Sequence, residues 1–142
     1  VLDEIIKKNK NYKYCYLLQA TSPLLLKNDI IKSFNTMITN NFDSLFSAYT
    51  THKFLWSKKK NFYSLNYNYK NRPMRQKKEN DFIETGALYA FKIKKFMRFK
   101  NRLFGKIGIA EIPQERSLDI DENKDFKYAE YYIKKNLKKY SF

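Results

Sequence analysis

Two aspartates separated by one residue, Asp119 and Asp121, stand in the stretch SLDIDENKDFKYAEYY, Ser117 to Tyr132. On an extended backbone, side chains two apart point to the same side, so the two carboxylates face one way. Like charges held that close are costly unless a cation or a hydrogen-bond network neutralises them. The pattern suits Mg²⁺, which takes one or two carboxylates plus substrate phosphate oxygens and keeps its waters. The plainer reading is a helix entrance, with Asp121 as the cap and Asp119 solvated. Residue types alone leave both open.

Three other clusters carry polar chemistry. In LLQATSPL (17–24), Gln19, Thr21 and Ser22 fall where a strand ends, and ligands of open α/β sheets bind at the carboxyl ends of strands. They are candidates for holding a polar substrate; the alternative is an ordinary Ser-Pro turn. In NRPMRQ (71–76), Arg75 and Gln76 offer a guanidinium fork and an amide, suited to a carboxylate or phosphate. The alternative is a solvated basic loop. In ETGALY (84–89), Gly86 enters a strand and allows close backbone approach, with Glu84 beside it as a substrate contact or a surface residue.

Other chemistries find little support. His52 is the sole histidine and Cys15 the sole cysteine, so no zinc-type spacing exists and no intrachain disulfide can form. Cys15, between Tyr14 and Tyr16, reads as a strand residue, and a reducing, cytoplasmic setting is expected. His52 has no Ser or Cys in a nucleophile context, so a triad is not expected. The 142 residues carry 29 basic and 14 acidic side chains, net +15. That charge allows nucleic acid, anionic surfaces or phosphorylated ligands as partners. The lysines are spread along the chain with frequent asparagine, the mark of a compositional bias. No apolar run approaches the ~20 residues of a membrane span, and no membrane partner is expected.

The elements that must position these residues follow from hydrophobic periodicity. A composition 43% hydrophobic and 18% aromatic is that of a folded domain. Residues 1–10 read as a helix, with Leu2, Ile5 and Ile6 on one face. YKYCYLLQA (12–20) is a continuous apolar run, expected to be a buried parallel strand. Residues 27–40 place Ile30, Phe34 and Met37 on one helical face, beside Ile31 and Ile38. Residues 43–52 read as a second strand, completing a β-α-β unit. Residues 54–82 alternate short aromatic strands with Lys/Asn turns, a β-hairpin excursion whose exposed aromatics suit a partner surface. Residues 85–93 and 106–113 are core strands. A last helix from about Asn123 carries Phe126, Ala129, Ile133 and Leu137 as its apolar stripe, with lysines in its last turns.

The order of the pieces adds to this. LLQATSPL, SLFSAYTTHKFLW, RPMRQ, ETGALYAFK and IPQERSLDIDENKDFKYAE closely resemble, in sequence order, the N-acylneuraminate cytidylyltransferases, the CMP-sialic acid synthetases. That family reads Q-P-T-S-P-L-R, an R-Q loop, E-N-G-A and a closing D-I-D-x-x-x-D-F-x-x-A-E. The resemblance covers essentially the whole chain. It implies an α/β, three-layer nucleotide-diphospho-sugar transferase-like (Rossmann-like) sheet, here partial. A β-hairpin dimerisation extension, about residues 53–84, would lie within one domain spanning 1–142. It implies transfer of CMP from CTP to a nine-carbon α-keto acid sugar with release of pyrophosphate. It also implies Mg²⁺ on Asp119 and Asp121, sugar contact by Gln19, a sugar-site role for Arg75 and Gln76, and a homodimer.

Departures accompany it. Ala20 replaces proline, Leu25 stands at a frequent arginine, Thr85 replaces asparagine and Glu122 stands at a frequent threonine. The family's I-P-A-R-x-G-S-K-G loop, a phosphate cradle of backbone N–H groups and basic side chains, has no counterpart. The three glycines, Gly86, Gly105 and Gly108, cannot supply it. The expectation is therefore the carboxyl-terminal part of a synthetase, poorly active or inactive alone. Two readings of other classes stay open: a basic single-strand nucleic-acid-binding module using Lys and aromatic stacking, and a non-catalytic dimerisation remnant.

Overall fold

The computed structural model describes residues 2–140; the side chains of Leu137 and Lys139 are not among those described, so the place expected for Leu137 on the last helix's stripe falls outside them. The chain divides into two compact units, Thr50–Ile83 and the remainder.

The larger unit is a three-layer α/β structure. Its sheet uses β1 (Tyr14–Leu18), β2 (Ser44–Thr51), β5 (Asp81–Lys92) and β6 (Ile107–Glu111), in the order β1-β5-β2-β6. β6 runs parallel to β2, with Ser44 opposite Ile107. β5 runs antiparallel to β1, with Tyr14 opposite Lys92 and Leu18 opposite Leu88. It is antiparallel to β2 as well: Lys92 N–H donates to Asp43 O at 2.9 Å, while Leu88 N–H reaches the Ser47 hydroxyl at 2.9 Å.

β1 was expected to be a buried parallel strand in a β-α-β unit with β2. It is half-buried and stands at the end of the sheet, with β5 inserted between it and β2. β1 and β2 do run the same way, but only through that antiparallel intermediary. The apolar run of β1 reflects helices packed near it rather than burial among parallel neighbours.

Alternation along the strands assigns two faces. On one, Leu45, Leu88, Ala90 and Ala110 pack with Met37 of α2 (Lys27–Thr39). On the other, Phe91 packs with Ile6 of α1 (Leu2–Lys8) and with Ile93 and Phe96 of α3 (Ile93–Phe99), joined by Phe104. α3 was not foreseen in the sequence. Its four apolar positions fall within one short basic segment, so the period is hard to see. The Phe91 and Phe96 rings stack at 4.8 Å.

α4 (Asn123–Lys135) follows the Asp119–Asp121 segment. Ala129 is buried on it, whereas Phe126, expected on its apolar stripe, is 60% exposed. α5 (Leu137–Tyr140) ends the described chain.

The unit Thr50–Ile83 holds an antiparallel hairpin, β3 (Trp56–Lys58) with β4 (Phe62–Ser64). Its own small core is aromatic: Tyr67 packs on Phe54 at 4.6 Å, Trp56 on Tyr69 at 5.8 Å, and the Arg72 guanidinium lies 4.0 Å from the Phe54 ring centre. Asn66 ties it together, accepting from Leu55 N–H at 2.9 Å and donating to Lys53 O at 2.9 Å.

No helix among the described residues is long and apolar enough to cross a membrane.

Candidate active site

The chain leaves β1 at Leu18 and turns at once. Gln19 N–H donates to Ala87 O at 3.0 Å, and Ser22 N–H closes onto Gln19 O at 3.2 Å. The turn thus hangs from the start of the buried half of β5. Gln19 itself is exposed at its rim. Thr21 and Ser22 point inward, and their hydroxyl oxygens are buried with no hydrogen-bond partner.

The Asp119 segment runs against this same turn. Ile120 N–H donates to Thr21 O at 2.8 Å, joining two stretches a hundred residues apart in sequence. Asp119 Oδ1 is also buried without a partner. Three orphaned oxygens thus lie in two segments stitched by one backbone hydrogen bond. Burying such groups unpaired costs roughly 1–3 kcal/mol each, and an ordered water, an ion or a ligand is what satisfies them.

The reading of Asp121 as helix cap does not hold. Glu122 stands at the N-cap, and Asp125, three residues on, reaches back to it: its carboxylate accepts from Glu122 N–H at 2.9 Å and from Asp121 N–H at 3.2 Å. Asp121 stays exposed. A carboxylate at the third helical position reaching back to the entrance is half of a capping box, so Asp121 is left available for other contacts. Among the described residues no three His, Cys, Asp or Glu side chains gather to hold a metal. A full protein cage is therefore absent there. Mg²⁺ has another mode, in which one or two carboxylates share the ion with waters and substrate phosphate; here Asp119 is half-buried and Asp121 exposed.

Gly86 adopts φ +74°, the left-handed region that disfavours side chains, and a Cβ added there would meet nothing within 4 Å. Conformation, and not close approach of a neighbouring protein group, requires this glycine. The bend is held from β2. Thr85 Oγ1 donates to the Ser47 hydroxyl at 2.7 Å, and that same hydroxyl accepts from Leu88 N–H. Ser47 is fully buried. Sequence reasoning missed it; a serine in an otherwise apolar strand run was the available signal. Glu84, exposed on β5, accepts from the Tyr89 hydroxyl. Burial, then Glu84, raises the Tyr89 phenol above its usual range.

Gln19, Thr21, Ser22, Glu84, Gly86, Asp119 and Asp121 all belong to the larger unit. Arg75 and Gln76 belong to the other, on a short 3-10 turn (Arg75–Lys77), both exposed. His52 lies in that unit too, near enough to Asp81 to help lower its carboxyl, behind Lys78 and Asn66. Cys15 is half-buried, and burial raises its thiol, the opposite of what a nucleophile needs.

No protein-family model matches the chain. It is 29% identical over 137 residues to N-acylneuraminate cytidylyltransferase B of Danio rerio, covering 93% of this chain and 32% of that protein. It is 27% identical to post-translational flagellin modification protein B of Campylobacter coli, covering 100% of this chain and 64% of that protein. The fold matches the crystal structure of 4-diphosphocytidyl-2C-methyl-D-erythritol synthase from Anaerococcus prevotii with a TM-score of 0.63 at 12% identity, over 94% of this chain and 64% of that one. The chain thus spans about a third to two thirds of the length of these proteins. Its sheet and helices have the nucleotidyltransferase fold, and the likeness carried by its motifs is matched, over nearly all of its residues, by curated relatives named N-acylneuraminate cytidylyltransferase.

Proposed function

We propose that these residues form the sugar-side and metal-side part of a cytidylyltransferase that moves CMP from CTP onto a nine-carbon α-keto acid sugar and releases pyrophosphate. The observation that carries the reading is the Ile120–Thr21 hydrogen bond, which sets the Asp119 segment against the turn that holds Gln19, Thr21 and Ser22. The relatives' names support the reaction class.

In this reading Asp119 and Asp121 hold Mg²⁺, which when bound screens phosphate charge at the α-phosphorus. The chain's own groups do the positioning. Thr21 and Ser22 hydroxyls hydrogen-bond the sugar or its carboxylate from the turn after β1. Gln19 contacts the sugar from the rim. The Gly86 bend carries the start of β5 past that turn. The aromatic hairpin, in the unit that also carries Arg75 and Gln76, serves a homodimer. With glycines only at 86, 105 and 108, no glycine-rich phosphate cradle exists within the 142 residues, and they have little activity by themselves.

The test is thermal unfolding with Mg²⁺, alone and with CMP-sialic acid, on the parent chain and on Asp119→Ala/Asp121→Ala. A ligand that binds only the folded state stabilises by about 2.7 kcal/mol at a hundredfold excess over Kd. A rise in midpoint that disappears in the double variant supports the reading. Equal rises in both, or none in either, removes the two aspartates from it.

A further inference from the structure

Lysines that are scattered along the sequence converge at one place in the fold. At the end of the β1–β5 pair where Tyr14 faces Lys92 lies a cavity of about 450 Å³, and five of its seven lining side chains are lysines. Lys10 and Lys13 come from the stretch between α1 and β1; Lys92, Lys94 and Lys95 come from the passage of β5 into α3. All lie in the larger unit. Lysine and arginine together are 29 of the 142 residues, so composition alone does not give this density.

The charge is only partly answered. Asp43 lies 3.0 Å from Lys92 and 2.6 Å from Lys95, and Lys92 also donates to Asn41 Oδ1 at 2.8 Å. Lys10, Lys13 and Lys94 are exposed and pair with no carboxylate among the described residues; the Lys13 ammonium lies 5.3 Å from the Tyr14 ring centre. Five ammonium groups against one carboxylate leave an excess of four positive charges around one concavity. A cleft lined by one sign of charge focuses its field and concentrates counter-ions. Ammonium groups are compact charges with three donors each, suited to phosphate oxygens. One monoanion leaves most of the excess in place, whereas a chain of phosphates answers it. Tyr12, also lining the cavity and 68% exposed, offers a ring face on which a base can stack.

The cavity is separate from the turn that carries Gln19, Thr21 and Ser22. Lys13 precedes β1 and Gln19 follows it. At roughly 3.3 Å per residue the strand holds them about 20 Å apart.

We propose that this cavity is a polyphosphate-binding site. Lys10, Lys13 and Lys94 take a di- or triphosphate group, inorganic or carried by a nucleotide, and Asp43 holds Lys92 and Lys95 in place beside them. The site uses neither a metal nor Asp119 and Asp121, so it stands or falls apart from the cytidylyltransferase reading.

The test is calorimetric titration of the chain with inorganic triphosphate and with ATP, in EDTA and at about 0.15 M salt, where exposed charges are screened beyond roughly 8 Å. The expected result is one ligand per chain. Lys10→Ala/Lys13→Ala/Lys94→Ala, checked for folding by circular dichroism, weakens binding by about tenfold or more and abolishes the rise in unfolding midpoint that the ligand gives the parent. Lys32→Ala/Lys127→Ala/Lys135→Ala removes the same charge from exposed positions on α2 and α4 and leaves the affinity within about twofold. ATP that binds more tightly than inorganic triphosphate, with the gain lost in Tyr12→Ala, makes the ligand a nucleotide; equal affinities make it the phosphate chain itself. Either supports the site. No binding, equal weakening by the two triple variants, or binding lost in Asp119→Ala/Asp121→Ala overturns the proposal. So does a single-stranded oligonucleotide that displaces ATP at a far lower concentration, because the occupant is then a nucleic-acid strand.

Discussion

Arg116 and Asp29, 87 positions apart, meet in a two-pronged ion pair with side chains only 9% and 10% exposed. Arg116 Nη2 lies 2.9 Å from Asp29 Oδ1, and Nη1 reaches both Oδ2 and, at 3.3 Å, the carbonyl of Leu24. Asp29 also accepts from Leu26 N–H at 2.8 Å, which fixes the start of α2. One guanidinium therefore joins the turn after β1, the helix that follows, and the segment leading to Asp119. Tyr140 adds a second donor to Leu24 O at 3.2 Å, and burial pushes its phenol up to about 12.

Arg116→Ala is expected to cost on the order of 3 kcal/mol in urea unfolding, because Asp29 is left buried and unpaired. Arg116→Lys recovers only part, since an ammonium cannot span both carboxylate oxygens and the carbonyl. Equal stability of the parent and the alanine variant removes this clamp from the account of the fold.

Asp119 predicts a trade of stability for function. Its buried Oδ1 has no partner in the free chain, so Asp119→Ala relieves a desolvation cost. The variant is expected to match or exceed the parent's stability without ligand, by up to ~1 kcal/mol. A loss above that size in the ligand-free chain shows that Asp119 is a structural group.

Asp43 predicts acid sensitivity. It is 7% exposed, lies 2.6 Å from Lys95 and 3.0 Å from Lys92, and accepts from Lys106 N–H at 3.1 Å. Lys95 above all, with Lys106 N–H and Lys92, holds its carboxyl well below the usual range against the opposing effect of burial. A folded-state pKa below the unfolded one means stability that is full above about pH 4 and lost as the pH falls below it. Asp43→Asn is expected to lower the midpoint at pH 7 and to flatten the loss between about pH 4 and pH 2. Thermal melts across that window check it; parallel curves for the two proteins refute it.

Two glycines predict different penalties. Gly86→Ala meets open space but must hold φ +74°, a strain of roughly 1–2 kcal/mol. Gly105→Ala must hold φ +62° and also places its Cβ 2.9 Å from that of Asp43, beside the carboxylate itself. It is expected to cost more, roughly 3 kcal/mol, by adding overpacking to strain. Chemical denaturation of both variants orders them.

Much of this was legible in the residues. The apolar run at 12–20, the periodic stretch at 27–40 and the runs at 43–52, 85–93 and 106–113 became β1, α2, β2, β5 and β6, because hydrophobic period is a local property. The motif order announced the nucleotidyltransferase fold in the same way. Strand neighbours were not legible. Nothing near Tyr14 or Ser44 says that β5 will insert between their strands, since pairing is settled by which faces the helices on both sides can cover. Phe126 looked like a core residue by spacing and stands exposed, because a period names a face without naming what lies against it. The chemistry divides along the same line. The sequence by itself determined that Asp119, Asp121, Thr21 and Ser22 were the groups to watch. Only the tertiary structure decided that one hydrogen bond brings Thr21 to Ile120, that Glu122 with Asp125, and not Asp121, caps α4, and that Arg116 holds the assembly together. Each of those contacts except the cap joins positions far apart in the chain, where the entropy of closing the loop is overcome by burial and charge pairing that no local pattern records.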